Sequence, residues 1–489
     1  MKYYSTRNEE NKYTAAQAMA TGLAPDGGLF VPECIPTVTA GELKALCAKD
    51  YRGRAVDIMG RFLEEFSTEE LTDFVTHAYA ENYDDAAIAP LHFTDDTTAY
   101  LELWHGPTCA FKDMALQMLP YLLTASLKKT GEQREVCILV ATSGDTGKAA
   151  LEGFADVPGT RIFVFYPDGG VSKIQRLQMV TQSGNNVGVS AVKGNFDDAQ
   201  TGVKKIFGDQ DFAVQISERG FFLSSANSIN WGRLLPQIVY YFSAYCDYVN
   251  SGKIAFGDKI NFCVPTGNFG NILAGWFAKQ MGLPVNRFLC ASNANNVLTD
   301  FIETGVYDKN RPFHLTISPS MDILVSSNLE RLLYMLCGDE ATADYMQKLS
   351  ADGTYSVSAE TLERIRGEFS AECCDDPATC AKIAAVWKES NYLIDTHTGV
   401  AAAALDTFRA RTGDTTPTVI VSTASPFKFA ADVCGALGTG EGEDPLTALS
   451  AYCDLPVPGP LNGLETRTVR FDGVTEKEEM PAVVDAFVR

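Results

Sequence analysis

Basic residues are scarce in this 489-residue chain: 40 lysines and arginines stand against 62 aspartates and glutamates, a formal charge of −22. That deficit argues against nonspecific binding to nucleic acid or to an anionic membrane, although a local cluster of donors can still bind a small anion. Histidine is scarcer still. His77, His92, His105, His314 and His397 lie far apart and form no HExxH-type pair, so no histidine-based metal site is expected. The 13 cysteines show no CxxC spacing, and the adjacent Cys373 and Cys374 suit neither zinc nor a disulfide. Reduced thiols in a cytoplasmic protein are the expectation. No long uncharged run is available to cross a membrane, and the polar start MKYYSTRNEENKYTAAQAM lacks the apolar centre of a secretory signal.

What is present describes a globular protein: 46% hydrophobic residues, 10% aromatic and 40 glycines, in a chain long enough for two or three domains. Residues 1–90 alternate turn clusters such as LAPDGGLFVPECIP with amphipathic helix. In STEELTDFVTHAYAENY, Ser67 and Glu70 form the spacing of a capping box, which predicts a helix start. From 91 onward strands and helices alternate. EVCILVAT (135–142), RIFVFYP (161–167), NNVGVSAV (185–192), KINFCVPT (259–266) and TVIVSTA (418–424) are each followed by a helical pattern. Such alternation predicts an α/β fold of open, mostly parallel sheets with helices on both faces and ligands at the carboxyl ends of the strands. Residues 300–390 read as a mostly helical insertion, and the tail from 440 as turn-rich and acidic.

Several strand ends carry candidate chemistry. In VPTGNFGNILAG (264–275) a strand runs into Gly267, Asn268, Phe269, Gly270 and Asn271 and then a helix. This is either a phosphate cradle built from a helix N-terminus or an ordinary β–α turn. ATSGDTGKAA (141–150) fails the nucleotide P-loop pattern, because Thr142 and Ala149 stand where a glycine and a hydroxyl residue are needed. It remains suited to a carboxylate, with Lys148 read as a solvated helix residue. STASPFKF (422–429) ends a strand in hydroxyls; Ser425 before Pro426 reads as a helix cap, leaving Thr423 free to meet a buried heteroatom. The last candidate is Lys112 in HGPTCAFKDMALQ (105–117), a lone ammonium in a segment that otherwise reads as buried. It is either a structural lysine held by Asp113 or a lysine kept for its amine. A desolvated lysine is deprotonated more easily, and a neutral amine forms Schiff bases and abstracts protons. Amine, phosphate cradle, hydroxyl and carboxylate loop together suit pyridoxal 5'-phosphate.

The same segments, with YYSTR and GLAPDGGLFVP near the start, resemble the threonine synthase family of fold-type II (tryptophan synthase β-like) pyridoxal-phosphate enzymes over nearly the whole chain. The resemblance implies a threonine-synthase-type N-terminal domain over 1–90 and a catalytic region of two subdomains over 91–489. It implies that Lys112 is the Schiff-base lysine and acid/base. Gly267, Asn268, Phe269, Gly270 and Asn271 would hold the cofactor phosphate, Thr423 the pyridine nitrogen, and Asp145 would stand near the phenolic oxygen. Ser143, Gly144, Asp145 and Thr146 would take the substrate carboxylate; Arg233 is the candidate for its phosphate and Lys173 a second, each alternatively an exposed helix cation. The implied activity is that of a carbon–oxygen lyase acting on a phosphate: O-phospho-L-homoserine and water to L-threonine and inorganic phosphate, by γ-elimination and β-addition of water. A cytoplasmic monomer or homodimer with small-molecule partners is expected, with no nucleic acid, membrane or metal. The family often has histidine where this chain has Ser425. The rival readings are a serine/threonine dehydratase or β-replacement lyase on the same cofactor, and a noncatalytic anion-binding protein on the same scaffold.

Overall fold

The computed structural model describes residues 1–439 and 444–489. Its two main sheets form where the sequence supplies unbroken apolar runs. Ile260–Pro265, Thr418–Ser422 and Val187–Val192 are buried at every position, as strands covered on both faces require. The larger sheet has the strand order Phe369–Cys373, Val285–Ser292, Ile260–Pro265, Thr418–Ser422, Thr98–Glu102, Leu91–Phe93. Its pairings are parallel except at the Leu91–Phe93 edge. The smaller sheet runs Val474–Thr475, Val187–Val192, Thr160–Pro167, Glu135–Ala141, Phe221–Ser224, parallel throughout. The mostly parallel α/β architecture is therefore as the sequence alternation indicates.

Register brings the strand ends together. Cys263 pairs with Ile420, so Pro265 and Ser422 finish side by side in the larger sheet. Ile138 pairs with Ser224, and Ala141 pairs with Phe165, which sets the ends of the smaller sheet's strands at one edge.

The 300–390 region is mostly helical, as expected, and it also contains Phe369–Cys373, an edge strand of the larger sheet, and an antiparallel pair, Val306–Asp308 with Thr354–Ser356. Its long helix, Leu329–Ala351, breaks at Gly338, where φ is 80°. The short strands were hidden by the charged helical faces around them. The tail is likewise more than turns, because Val474–Thr475 joins the smaller sheet and Met480–Phe487 is a helix whose Met480 and Val484 are buried. Residues 440–443 of that tail expectation lie outside the described residues.

The first 90 residues form a three-stranded antiparallel sheet, Asn8–Tyr13, Tyr3–Ser5 and Phe30–Pro32, with helices around it. The Ser67–Glu70 capping box starts helix Thr68–Ala78 as the spacing predicts. This unit shares its core with the larger sheet. Trp231, at the start of the buried helix Trp231–Asn250, packs its ring against Tyr3 and Phe62. Among the described residues, no helix is long and apolar enough to cross a membrane.

Candidate active site

The converging strand ends enclose a cavity of about 630 Å³. Lys112 lines it, and local pairing explains how it gets there. Phe111 N–H donates to the Thr423 carbonyl at 2.8 Å, Ser425 N–H donates to the Cys109 carbonyl at 3.0 Å, and Ala110 bridges Ala424. The loop bearing Lys112 is thus stitched to the end of strand Thr418–Ser422. Asp113 is not the lysine's partner. It accepts hydrogen bonds from Thr108 N–H and Oγ1 at 2.8 and 2.6 Å, which folds the HGPTC turn back on itself. Lys112 Nζ instead reaches Ser320 Oγ at 3.4 Å and Asp145 Oδ2 at 3.9 Å. Burial lowers its pKa to about 8, and the Arg233 and Lys428 cations assist while Asp145 opposes. A structural lysine held by Asp113 is therefore not what this position shows.

Asp145 opens helix Asp145–Phe154 at the end of strand Glu135–Ala141. Its Oδ1 takes Lys428 Nζ at 3.0 Å and Gln175 Nε2 at 2.9 Å, and its Oδ2 accepts from Ser320 Oγ at 3.2 Å. Burial alone would raise this carboxyl, but Lys428, Lys112, Gln175 and His397 together hold it well below the usual range. It is an ionised carboxylate that does not itself line the cavity but bonds Ser320 and pairs with Lys112, which do. Ser143 and Thr146 line the cavity beside it. Gly144 has φ 133°, and a Cβ there would come within 2.3 Å of the Gln175 side chain, so only glycine allows Gln175 to reach Asp145.

Across the cavity, strand Ile260–Pro265 ends in the Gly267–Asn271 turn. Phe269 adopts the left-handed conformation at φ 60°, and helix Gly270–Gln280 starts with no side-chain cap. The Gly267 carbonyl is held by Ser326 Oγ at 2.7 Å, and the Asn268 carbonyl by Asn328 N–H and Nδ2 at 3.1 and 3.0 Å. The turn's carbonyls are thus tied down while the helix start keeps free N–H donors, the electrostatics of an anion site. Asn271 adds a buried Nδ2 with no partner among the described residues, its Oδ1 taken by Tyr240 and Tyr241 hydroxyls at 2.6 and 2.7 Å. The cradle alternative fits this geometry better than an ordinary turn.

Thr423 is buried and lines the same cavity. Arg233, in the first turn of Trp231–Asn250, is buried too. Its Nη1 donates to the Ala226 carbonyl at 2.7 Å, while Nε has no partner among the described residues. Burial without a carboxylate lowers its pKa to about 10. A guanidinium buried at the cavity with an unsatisfied Nε has the chemistry to pair with an anion.

Other sequence candidates fall elsewhere. Lys173 is 73% exposed at the start of helix Lys173–Val180, ion-paired with Glu465, and does not line the cavity. Lys148 is not solvated: it is buried against Glu152 and Gln182. Ser425 makes no capping bond. Pro426–Phe429 is a single 3-10 turn, and the Ser425 hydroxyl is buried without a partner among the described residues.

Sequence reasoning missed Lys428, Gln175, Ser320 and His397. Lys428 is fully buried and also donates to the Thr108 carbonyl at 2.8 Å. Its signal was available: a lone lysine in an otherwise apolar run, here between Phe427 and Phe429, is the kind of feature that singled out Lys112. His397 lines the cavity with Nδ1 against Asp395 Oδ2 at 2.8 Å and Nε2 accepting from Ser320 N–H at 3.1 Å. Nothing in the spacing of the five histidines pointed to it.

Comparison with known proteins agrees along the chain. A family model described as pyridoxal-phosphate dependent enzyme matches residues 99–424. Models for the threonine synthase N terminus and the threonine synthase C-terminal region match 2–79 and 398–488. Human threonine synthase-like 1 is 40% identical over 457 residues, covering 90% of this chain but 61% of the relative, so the chain spans about three fifths of that protein's length. The threonine synthase of Pseudomonas aeruginosa is 40% identical over 432 residues, 88% of this chain and 89% of the relative. Among solved structures, a PLP-bound threonine synthase from Brucella melitensis has a TM-score of 0.87 at 38% identity, covering 100% of this chain and 98% of that one.

Proposed function

The chain belongs to the threonine synthase family of pyridoxal-phosphate-dependent enzymes, and from that premise we propose that it converts O-phospho-L-homoserine and water to L-threonine and inorganic phosphate. The observation that carries the proposal is the joint presence, around one cavity, of the Lys112 amine lowered to about 8 and the buried guanidinium of Arg233, whose Nε has no partner among the described residues. The first is what the cofactor's aldehyde needs, and the second is what a phosphorylated substrate needs.

The residues fit pyridoxal phosphate. The uncapped start of helix Gly270–Gln280 and the Gly267–Asn271 amides would hold its phosphate. Lys112 would carry it covalently, and the Thr423 hydroxyl would face its pyridine nitrogen, a partner that leaves that nitrogen unprotonated. When bound, the cofactor supplies an electron sink for negative charge at the substrate's Cα. The protein's part is binding and proton transfer. Ser143, Gly144 and Thr146 take the substrate carboxylate, and Arg233 takes its phosphate with a planar fork. Lys112 Nζ removes the proton from Cα, and loss of a Cβ proton accompanies departure of phosphate from Cγ. A proton returns to Cγ, water adds its hydroxyl at Cβ, and a proton from Lys112 Nζ returns to Cα, which completes threonine. Ionised Asp145, 3.9 Å from Lys112 Nζ, stabilises the ammonium formed at each transfer, and Lys428 keeps that carboxylate charged. Lys173 has no part in this scheme.

We assign residues 1–90 and 91–489 as the N-terminal and catalytic parts of a cytoplasmic enzyme acting on small molecules as a monomer or homodimer. The test is simultaneous assay of phosphate and threonine from O-phospho-L-homoserine. Equal release of both, abolished in Lys112→Ala, supports the proposal. A 2-oxo acid with ammonia, and no threonine, would replace it with the dehydratase reading.

A further inference from the structure

The YYSTR segment has no part in the chemistry above, yet its contacts lead directly to the phosphate sites. Thr6 Oγ1 donates to Glu330 Oε1 at 2.6 Å, and Arg7 grips the same carboxylate through Nε and Nη2 at 2.8 and 2.9 Å. Thr6 Oγ1 also accepts from Leu29 N–H at 2.8 Å, which fixes it within the N-terminal unit. Glu330 and Arg331 are consecutive residues at the start of helix Leu329–Ala351.

Arg331 is wholly buried, and every acceptor it meets is a neutral oxygen. Nε donates to the Phe30 carbonyl at 2.9 Å, Nη2 to the Ile229 carbonyl at 2.6 Å, and Nη1 to the Ser228 carbonyl at 3.4 Å and to Asn328 Oδ1. Asn328 in turn holds the Asn268 carbonyl through N–H and Nδ2 and reaches Ser228 Oγ at 3.2 Å. One guanidinium therefore joins the N-terminal sheet, the Ala226–Ile229 segment next to Arg233, and the Gly267–Asn271 turn. With Arg233 bonding the Ala226 carbonyl, three carbonyls of that segment are turned to arginines.

A buried cation that hydrogen-bonds no carboxylate is unfavourable even with the neighbouring Glu330 charge offsetting part of the burial, and an apolar side chain would fill the space at lower free energy if packing were its only task. The arrangement has a direct electrostatic consequence instead. A phosphate dianion is repelled by carbonyl oxygens and attracted by amides, so a segment whose carbonyls are bound elsewhere presents the favourable pole. We propose that Arg331 is a positioning residue for phosphate recognition, through which the Thr6–Arg7 clasp on Glu330 holds segment 226–229 and the Asn268 turn in register. The proposal rests on the threonine synthase reading, since it presumes a phosphorylated substrate at Arg233.

Two variants of the holoenzyme test it. Arg331→Lys keeps the charge but loses the planar fork. Arg7→Met, at a side chain 30% exposed and outside the cavity lining, loosens only the clasp. Each is titrated calorimetrically with inorganic phosphate, and its kcat and KM for O-phospho-L-homoserine are measured with its thermal midpoint. We expect phosphate affinity to fall and KM to rise about tenfold in Arg331→Lys and about threefold in Arg7→Met, with kcat changed less than KM. Phosphate affinity within twofold of the unaltered enzyme in both variants, with only a lower midpoint, overturns the inference and leaves Arg331 as packing. If Arg331→Lys does not fold, Arg7→Met decides by the same criterion. Failure of the unaltered enzyme to bind phosphate or turn over the substrate overturns the functional reading as well, and is distinguished by occurring without any substitution.

Discussion

Replacing Lys428 with methionine removes a fully buried ammonium that lies 3.0 Å from Asp145 Oδ1 and 2.8 Å from the Thr108 carbonyl. Methionine has a similar shape, so the change is chiefly electrostatic. Opposite unit charges about 4 Å apart attract by about 4 kcal/mol at an effective dielectric of about 20, and breaking a buried pair by removing one partner costs about 3–5 kcal/mol of stability. The more informative effect is on Lys112. Its pKa of about 8 reflects burial, with nearby Lys428 pushing it down and Asp145 pushing it up. Without Lys428 the downward push is gone and Asp145 loses the ammonium that competes with Lys112 for it. Both changes raise the Lys112 pKa, by about one to two units. The assay is the rate of pyridoxal phosphate capture by apoprotein, followed by absorbance across about pH 6–10, because only the neutral amine attacks the aldehyde. The unaltered protein should rise through pH 8 to a plateau, as its Lys112 does. In Lys428→Met the rise should move up, so that capture at neutral pH slows about ten- to hundredfold. A rise at the same pH, or one moved down, would refute the electrostatic account of the Lys112–Asp145–Lys428 cluster.

Arg233→Met should lower kcat/KM for O-phospho-L-homoserine about a hundredfold while cofactor capture stays normal, as steady-state kinetics and absorbance will report. Gly144→Ala places a methyl 2.3 Å from Gln175 at a φ of 133°. Denaturant unfolding should find it destabilised by about 1–3 kcal/mol, with less penalty when Gln175 is also alanine. His105 lies between Asp84 and Glu102 at 2.6 and 2.8 Å; burial lowers its pKa, but the carboxylates prevail and lift it from 6.5 to about 9. Its contribution to stability is therefore complete below 6.5 and lost as pH rises through 9. The gap in thermal midpoint between unaltered protein and His105→Asn should shrink over that interval; a gap independent of pH would contradict the assignment.

Much of the site was legible because its chemistry sits where the backbone changes state. Lys112 stood out as a charge in an apolar run, and the Gly267–Asn271 turn and Thr423 as small residues at the ends of apolar strands. The parallel sheets followed from the same runs. What escaped depends on tertiary approach. Gln175 and Ser320 reach Asp145 from segments 30 and 175 residues away, and no local pattern distinguishes them from other polar residues. Lys148 and Lys173 illustrate the same limit in opposite directions. Both are lysines near helix starts with unremarkable neighbours, yet one is buried with Gln182 and the other paired on the surface with Glu465. Local sequence carries the charge of a lysine but not what the fold brings against it. The strands inside 300–390 were obscured because three residues, as in Val306–Asp308 and Thr354–Ser356, are too few to establish a period of two.

The central claim is that phosphate leaves by elimination at Cγ and that water adds afterwards at Cβ. Turnover of O-phospho-L-homoserine in oxygen-18-labelled water tests this most directly, with both products examined by mass spectrometry. The account predicts heavy oxygen in the hydroxyl of threonine and none in the released phosphate, since the bond broken is between carbon and the bridging oxygen. Heavy oxygen in the phosphate, with homoserine as the other product, would mean hydrolysis at phosphorus and would contradict the account.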